Sequence, residues 1–160
     1  MRCQGRRRSG NVAARVEAPM TTGYSGTPLA KKLGLKAGQA ALLVNVPDGL
    51  KEIDEFEGFV SVARILSQGS HRQFDYVHIF ETQRAVLEDM AAALFSAIKP
   101  DGMVWISWPK KSSKVPTSIT EDALREVLLP TGLVDVKVCA VDDVWSGLKF
   151  MIRKELRNAL

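Results

Sequence analysis

Residues 82–111 read TQRAVLEDMAAALFSAIKPDGMVWISWPKK. In the first half, Val86, Met90, Leu94 and Ile98 recur with Leu87 close to one side, while Arg84, Glu88 and Asp89 fall away from it. That is the 3.6-residue period of an amphipathic helix. Lys99 falls in the expected last turn, and Pro100-Asp101-Gly102 supplies the stop,. MVWISW (103–108) follows, apolar on both sides, and reads as a strand covered on both faces,. A helix, a tight turn and a doubly buried strand are the repeating pieces of a parallel sheet with helical crossovers.

The same alternation extends to both sides. Towards the amino terminus, FDYVHIF (74–80) and GFVSVARIL (58–66) are β-branched and aromatic-rich strand candidates,. AALLVNVP (40–47) is a buried-type strand halted by Pro47-Asp48-Gly49, and a short helix is expected around 50–56,. TPLAKKLG has the punctuation of a short helix, with Thr27 as cap, Pro28 at the first position and Gly34 at the left-handed close,. Towards the carboxyl terminus, SITEDALREVLL predicts a helix with Ser118 and Glu121 spaced as a capping box, ended by Pro130 and Gly132,. VDVKVCAVDD and LKFMIRK predict two closing strands, joined by a tight connection holding Trp145-Ser146-Gly147. Asp135 and Lys137 alternate with Val134, Val136 and Val138, as in a half-exposed edge pair,. The expected fold is a three-layer α/β/α Rossmann-like sandwich, mainly parallel, with an antiparallel carboxyl-terminal strand pair. Its element order resembles a trimmed class I methyltransferase topology.

Composition bounds the rest. The chain has 160 residues, 46% hydrophobic and 25% charged, which suits one globular domain, expected over residues 20–160,. The +4 net charge is unevenly placed. Residues 1–18 hold Arg2, Arg6, Arg7, Arg8 and Arg15 against Glu17 alone; taking these from 22 basic and 18 acidic residues leaves 17 of each. A balanced body argues against a nucleic-acid face, which needs clustered Lys and Arg. Residues 1–19 show no period and read as a disordered basic tail, with Met20 as a candidate native start,. No apolar run approaches the ~20 residues of a membrane span, and no signal-peptide core follows the basic start. With only Cys3 and Cys139, a disulfide framework is not expected, so a reducing, cytoplasmic location is,. Cys139, between Val138 and Ala140, reads as a core residue,.

A methyltransferase of this topology grips its adenosine cofactor with a glycine-rich turn after the first strand and an acid at the end of the second, which takes the ribose hydroxyls. Here the first strand runs into VNVPDGLKEI, with Gly49 alone and Pro47 fixing its own backbone; the second ends RILSQGSHR, without an acid,. Neither half of the grip is legible, so no cofactor is expected. Ligands of open α/β sheets bind outside the carboxyl ends of the strands, which gathers Pro47-Asp48-Gly49, Glu81-Thr82 and Trp108-Pro109-Lys110-Lys111. Lys110, Lys111, Ser112 and Ser113 can receive an anion with Trp108 as a stacking wall; the plainer reading is solvated charge that discourages edge pairing. His71 and His78 lack partners spaced to complete a metal site, and His78 reads as a strand histidine with one nitrogen satisfied,. Asp142 and Asp143 point to opposite faces if extended and are ordinarily solvated near a turn. Ser146 lacks a G-x-S-x-G setting and no histidine follows it,. Trp145 reads as a packing anchor or a pocket wall.

TGYSGTPLAKKLGLKAG, DGMVWISWPKK and GLVDVKVCAVDDVWSGLKFMIRK together resemble a bacterial family of small proteins known as domain of unknown function 3052, from Thr22 to Lys154. The resemblance implies a Rossmann-like, methyltransferase-related fold and no particular activity. Its signature segments are Gly23 to Pro28, Trp108 to Lys111 and Trp145 to Lys149. The resulting expectation is a non-enzymatic domain that binds a small anionic ligand or a protein partner at a cleft holding Tyr24, Ser25, Asp48, Trp108, Lys110, Lys111 and Trp145. The alternative is a divergent enzyme on the same scaffold, with Tyr24, Ser25 and Lys110 as reactive groups.

Overall fold

A computed structural model describes residues 28–67 and 69–160. The tail expectations, the Thr27 cap, Tyr24 and Ser25 all lie outside the described residues. The strands are β1 (Ala40–Val44), β2 (Ser61–Ala63), β3 (Phe74–Phe80), β4 (Ile98–Pro109), β5 (Leu133–Ala140) and β6 (Trp145–Ile152). They form one sheet in the order β2-β1-β3-β4-β6-β5. The first four run parallel, and β6 pairs antiparallel with both β4 and β5. Helices α3 (Arg84–Ala97) and α4 (Glu121–Leu128) cover one face; the short α1 (Leu29–Leu33) and α2 (Lys51–Asp54) lie on the other. The expected sandwich with its antiparallel finish is therefore present. No helix of the described residues is long and apolar enough to cross a membrane.

Alternation along the central strands feeds two cores. Val77 and Ile79 of β3, with Val104, Ile106 and Trp108 of β4, face α3 and α4 and meet Leu87, Leu94, Leu124 and Leu128. Tyr76, Phe80 and Trp105 face the other way, against Leu29 and Leu33 of α1 and Ile53 of α2. The helical stripe is rotated from its predicted position. Leu87, Ala91, Leu94 and Ala97 are buried, whereas Val86 is 39% exposed. Small alanines let α3 approach the sheet closely, so the buried line runs through them.

Several local readings are corrected by hydrogen bonding. The helix α3 stops at Ala97, and residues from Ile98 onward are already extended, so Lys99 is not in its last turn. The cation at its carboxyl end is instead Arg72, which donates to the carbonyls of Phe95 and Ile98, a placement the helix dipole favours. Lys99 pairs with Asp75 at 3.1 Å. Pro100-Asp101-Gly102 is an irregularity inside β4, where the pairing jumps between Phe74↔Ile98 and Tyr76↔Met103. A Cβ on Gly102 would stand 2.9 Å from the Phe74 carbonyl oxygen, so only glycine fits. The cap of α4 is Thr120, whose side chain accepts from Ala123 N at 3.0 Å. Ser118 serves α3 instead, accepting from Arg84 N at 2.8 Å. The β5–β6 turn is Val141–Val144, organised by Asp142 accepting from Val144 N and Trp145 N; Trp145-Ser146-Gly147 opens β6 rather than forming the turn. The alternation of β5 breaks at a bulge between Asp135 and Lys137, leaving Val136 and Val138 about half exposed,.

Candidate functional site

The parallel strands end along one rim, and the segment leaving each strand sets its chemistry. After β1, Asn45 takes a left-handed backbone (φ 59°) and its amide donates to the Phe80 carbonyl at 3.4 Å, tying the ends of β1 and β3. Asparagine is among the few non-glycine residues that tolerate this conformation. After β2 comes Arg64, ion-paired to Asp54 of α2 at 2.5 Å. After β3, the Glu81 carboxylate accepts from Thr82 N and Gln83 N, holding the entry to α3.

Between the β1 and β2 ends and the first turns of α3 lies an open hollow of about 390 Å³, lined by Asn45, Arg64, Ile65, Leu66, Val86 and Met90 among others. Its walls are mostly apolar, with Arg64 as its one cation and Asp89 as its one carboxylate. Sequence reading missed this hollow. Asn45, directly after an apolar run, was the available signal; Arg64 was visible only as the lack of an acid.

The residues expected to form a cleft are spread along the rim. Asp48 is exposed beside the β1 end. Trp108 is 8% exposed and packs in the core shared with α3 and α4, which corrects its reading as a ligand's stacking wall. Trp145 lies on the opposite face, edge-on to Phe80 at 5.2 Å, in keeping with a packing anchor. Lys110 N donates to Val144 O at 2.6 Å, and Ser113 Oγ donates to Lys110 O at 2.6 Å, so that hydroxyl is committed to a turn. Lys111 is exposed. Lys110, Lys111 and Trp145 are thus neighbours, Asp48 belongs with the hollow's end of the rim, and Trp108 belongs to neither group.

Beneath the rim, Tyr76 Oη lies 2.9 Å from His78 Nδ1, and His78 Nε2 lies 2.7 Å from Ser107 Oγ. Both ring nitrogens are used, correcting the expectation of one. The group has the outline of a nucleophile and base, but His78 and Ser107 are fully buried, and burial holds the His78 pKa at about 3. A base that weak, out of reach of any substrate, is structural: the imidazole stays neutral and fixes the registry of β3 on β4. Burial likewise raises the Tyr76 hydroxyl well above its ordinary value and the Cys139 thiol above its own. No metal-binding group of His, Cys, Asp or Glu occurs among the described residues.

No family model matches the chain, and no curated protein does. Solved structures do. An S-adenosylmethionine-dependent methyltransferase from Aquifex aeolicus aligns over 78% of this chain and 88% of its own, with 16% identity and a TM-score of 0.57. The 1,6-didemethyltoxoflavin-N1-methyltransferase of Burkholderia thailandensis aligns over 79% and 75%, with 13% identity and a TM-score of 0.58. A TehB-like methyltransferase from Corynebacterium glutamicum aligns over 78% and 85%, with 13% identity and a TM-score of 0.55. The chain therefore has a methyltransferase-like Rossmann fold. At such identities the likeness concerns the fold alone.

The cofactor this fold implies can be tested against the residues present. The ribose hydroxyls need a carboxylate at the β2 tip, and Arg64 stands there with Ile65 behind it. The turn after β1 carries the Asn45 side chain at its left-handed residue and Pro47, which has no N–H, two positions on,. These groups do not fit the adenosine grip.

Proposed function

We propose that this chain is a non-enzymatic, ligand-binding member of the methyltransferase-like fold. Its ligand is a small anion held at the carboxyl ends of β1 and β2. The carrying observation is the charge at the β2 tip: Arg64, in place of an acid, lines an apolar hollow. In dinucleotide folds an acid there takes a free ribose, whereas an arginine accommodates a phosphate on the ribose. The chemistry that fits is a nucleotide whose ribose bears a phosphate, with its base against Ile65, Leu66, Val86 and Met90. Asp54 has to release Arg64, which costs little, because an ion pair about half exposed on both sides contributes at most about 1 kcal/mol,. The test is a thermal-shift comparison of adenosine 2′-phosphate, adenosine and S-adenosylmethionine. Stabilisation by the 2′-phosphate alone, lost in Arg64→Met, supports the reading; equal response to all three, or to none, refutes it.

A protein partner is the second reading, favoured by the β2 edge, where Val60, Val62 and Ile65 are 70%, 42% and 82% exposed. An incoming strand would cover that edge. Cross-linking that maps to residues 60–65 supports it.

A further inference from the structure

The opposite edge of the sheet carries a charge arrangement that the strand-end hollow does not involve. In register, His78 of β3 lies beside Trp105 of β4, Trp105 beside Lys149 of β6, and Lys149 beside Lys137 of β5. The row begins aromatic and ends in two ammonium groups. Lys137 Nζ sits 6.0 Å from the centre of the Trp105 ring, placing it on the α1 side of the sheet. Burial, and after it the neighbouring charge of Lys137, lowers the Lys149 pKa.

Like charges directly opposite on paired strands destabilise a sheet. The usual remedy, a carboxylate, is missing. Among the described residues neither Lys137 nor Lys149 forms an ion pair, although the body of the chain holds as many acids as bases. An overall balance therefore conceals a local excess, which qualifies the sequence-based argument from neutrality. Lys149 is half-buried, so its charge is less hydrated than that of a free surface lysine and gains more from an anion. Trp105 is fully buried and offers no open ring for a base to stack on. What the cluster can read is compact negative charge, for which lysines act as point donors.

We propose that Lys137 and Lys149 form a site for a compact polyphosphate group, either free inorganic polyphosphate or the phosphate tail of a nucleotide. The full chain is titrated calorimetrically with inorganic triphosphate, with a nucleoside triphosphate and with hexaglutamate at low salt. Wild type binds both phosphates with similar affinity and hexaglutamate more weakly. Lys137→Met/Lys149→Met weakens triphosphate binding about tenfold or more, while Lys154→Met, at an exposed lysine beyond β6, leaves it unchanged. Without ligand, Lys137→Met and Lys149→Met each raise the unfolding midpoint, because repulsion is relieved. In wild type, triphosphate protects Lys137 and Lys149 from acetylation as read by mass spectrometry, which needs no variant. Equal triphosphate affinity in the double variant, a preference for hexaglutamate, or unprotected lysines overturns the proposal. A clear preference for the nucleoside triphosphate over inorganic triphosphate, or an equal loss of triphosphate binding on Lys154→Met, overturns it as well.

Discussion

Acid should unfold this protein through His78. In the unfolded chain the imidazole titrates near pH 6.5; in the native core burial lowers its pKa to about 3. Between these values the unfolded state binds a proton that the native state refuses, so stability is fully present above pH 6.5 and falls as the pH drops below it. The slope approaches about 1.4 kcal/mol per pH unit, which amounts to roughly 2 kcal/mol between pH 7 and pH 5. Ordinary carboxylates titrate mostly below that window, and His71 is common to both proteins compared. The assay is urea unfolding at pH 7, 6 and 5 for wild type and His78→Gln, which retains a donor and an acceptor but does not titrate. The variant is less stable at pH 7, because its geometry serves Tyr76 and Ser107 less well. It should nevertheless lose about 2 kcal/mol less than wild type on going to pH 5. Parallel losses in the two proteins, or a His78 imidazole assigned by NMR that titrates near pH 6.5 in the native state, would refute the reasoning.

Three further outcomes concern the frame. Gly102→Ala should lower stability by about 1–3 kcal/mol in chemical denaturation, because its Cβ meets the Phe74 carbonyl at 2.9 Å and both are backbone-anchored,. Arg72→Met should cost about 1–2 kcal/mol and selectively speed amide exchange at the carboxyl end of α3, where the Phe95 and Ile98 carbonyls lose their donor,. Thr120→Ala should cost about 1 kcal/mol through the lost cap of α4, whereas Ser118→Ala should loosen the start of α3 instead,.

What the sequence disclosed follows from how local each signal is. FDYVHIF is β3 to the residue, because strand composition acts on its own neighbours; the expected 40–47 strand instead ends at Val44, where Asn45 turns the backbone left-handed before Pro47 is reached. Caps were harder. Ser118 and Thr120 both offer a hydroxyl near the start of α4, and only the approach of Arg84, 34 residues earlier, decides which helix each serves. The end of α3 was misplaced for the same reason, since its cation comes from Arg72 on another element. Long-range pairing also set the chemistry. Lys137 and Lys149 are twelve residues apart in sequence and become direct neighbours only through the β5–β6 register. Arg64 looked merely like a missing acid until the fold set it against Ile65, Leu66 and Met90.

The central claim is that Arg64 at the β2 tip, with Asn45 and Pro47 in the turn after β1, replaces an adenosine grip by an anion-binding one. Isothermal titration of the full chain with S-adenosylmethionine, up to about 1 mM, tests it most directly. The account predicts no saturable heat, and a 1:1 isotherm with micromolar affinity that survives Arg64→Met would contradict it.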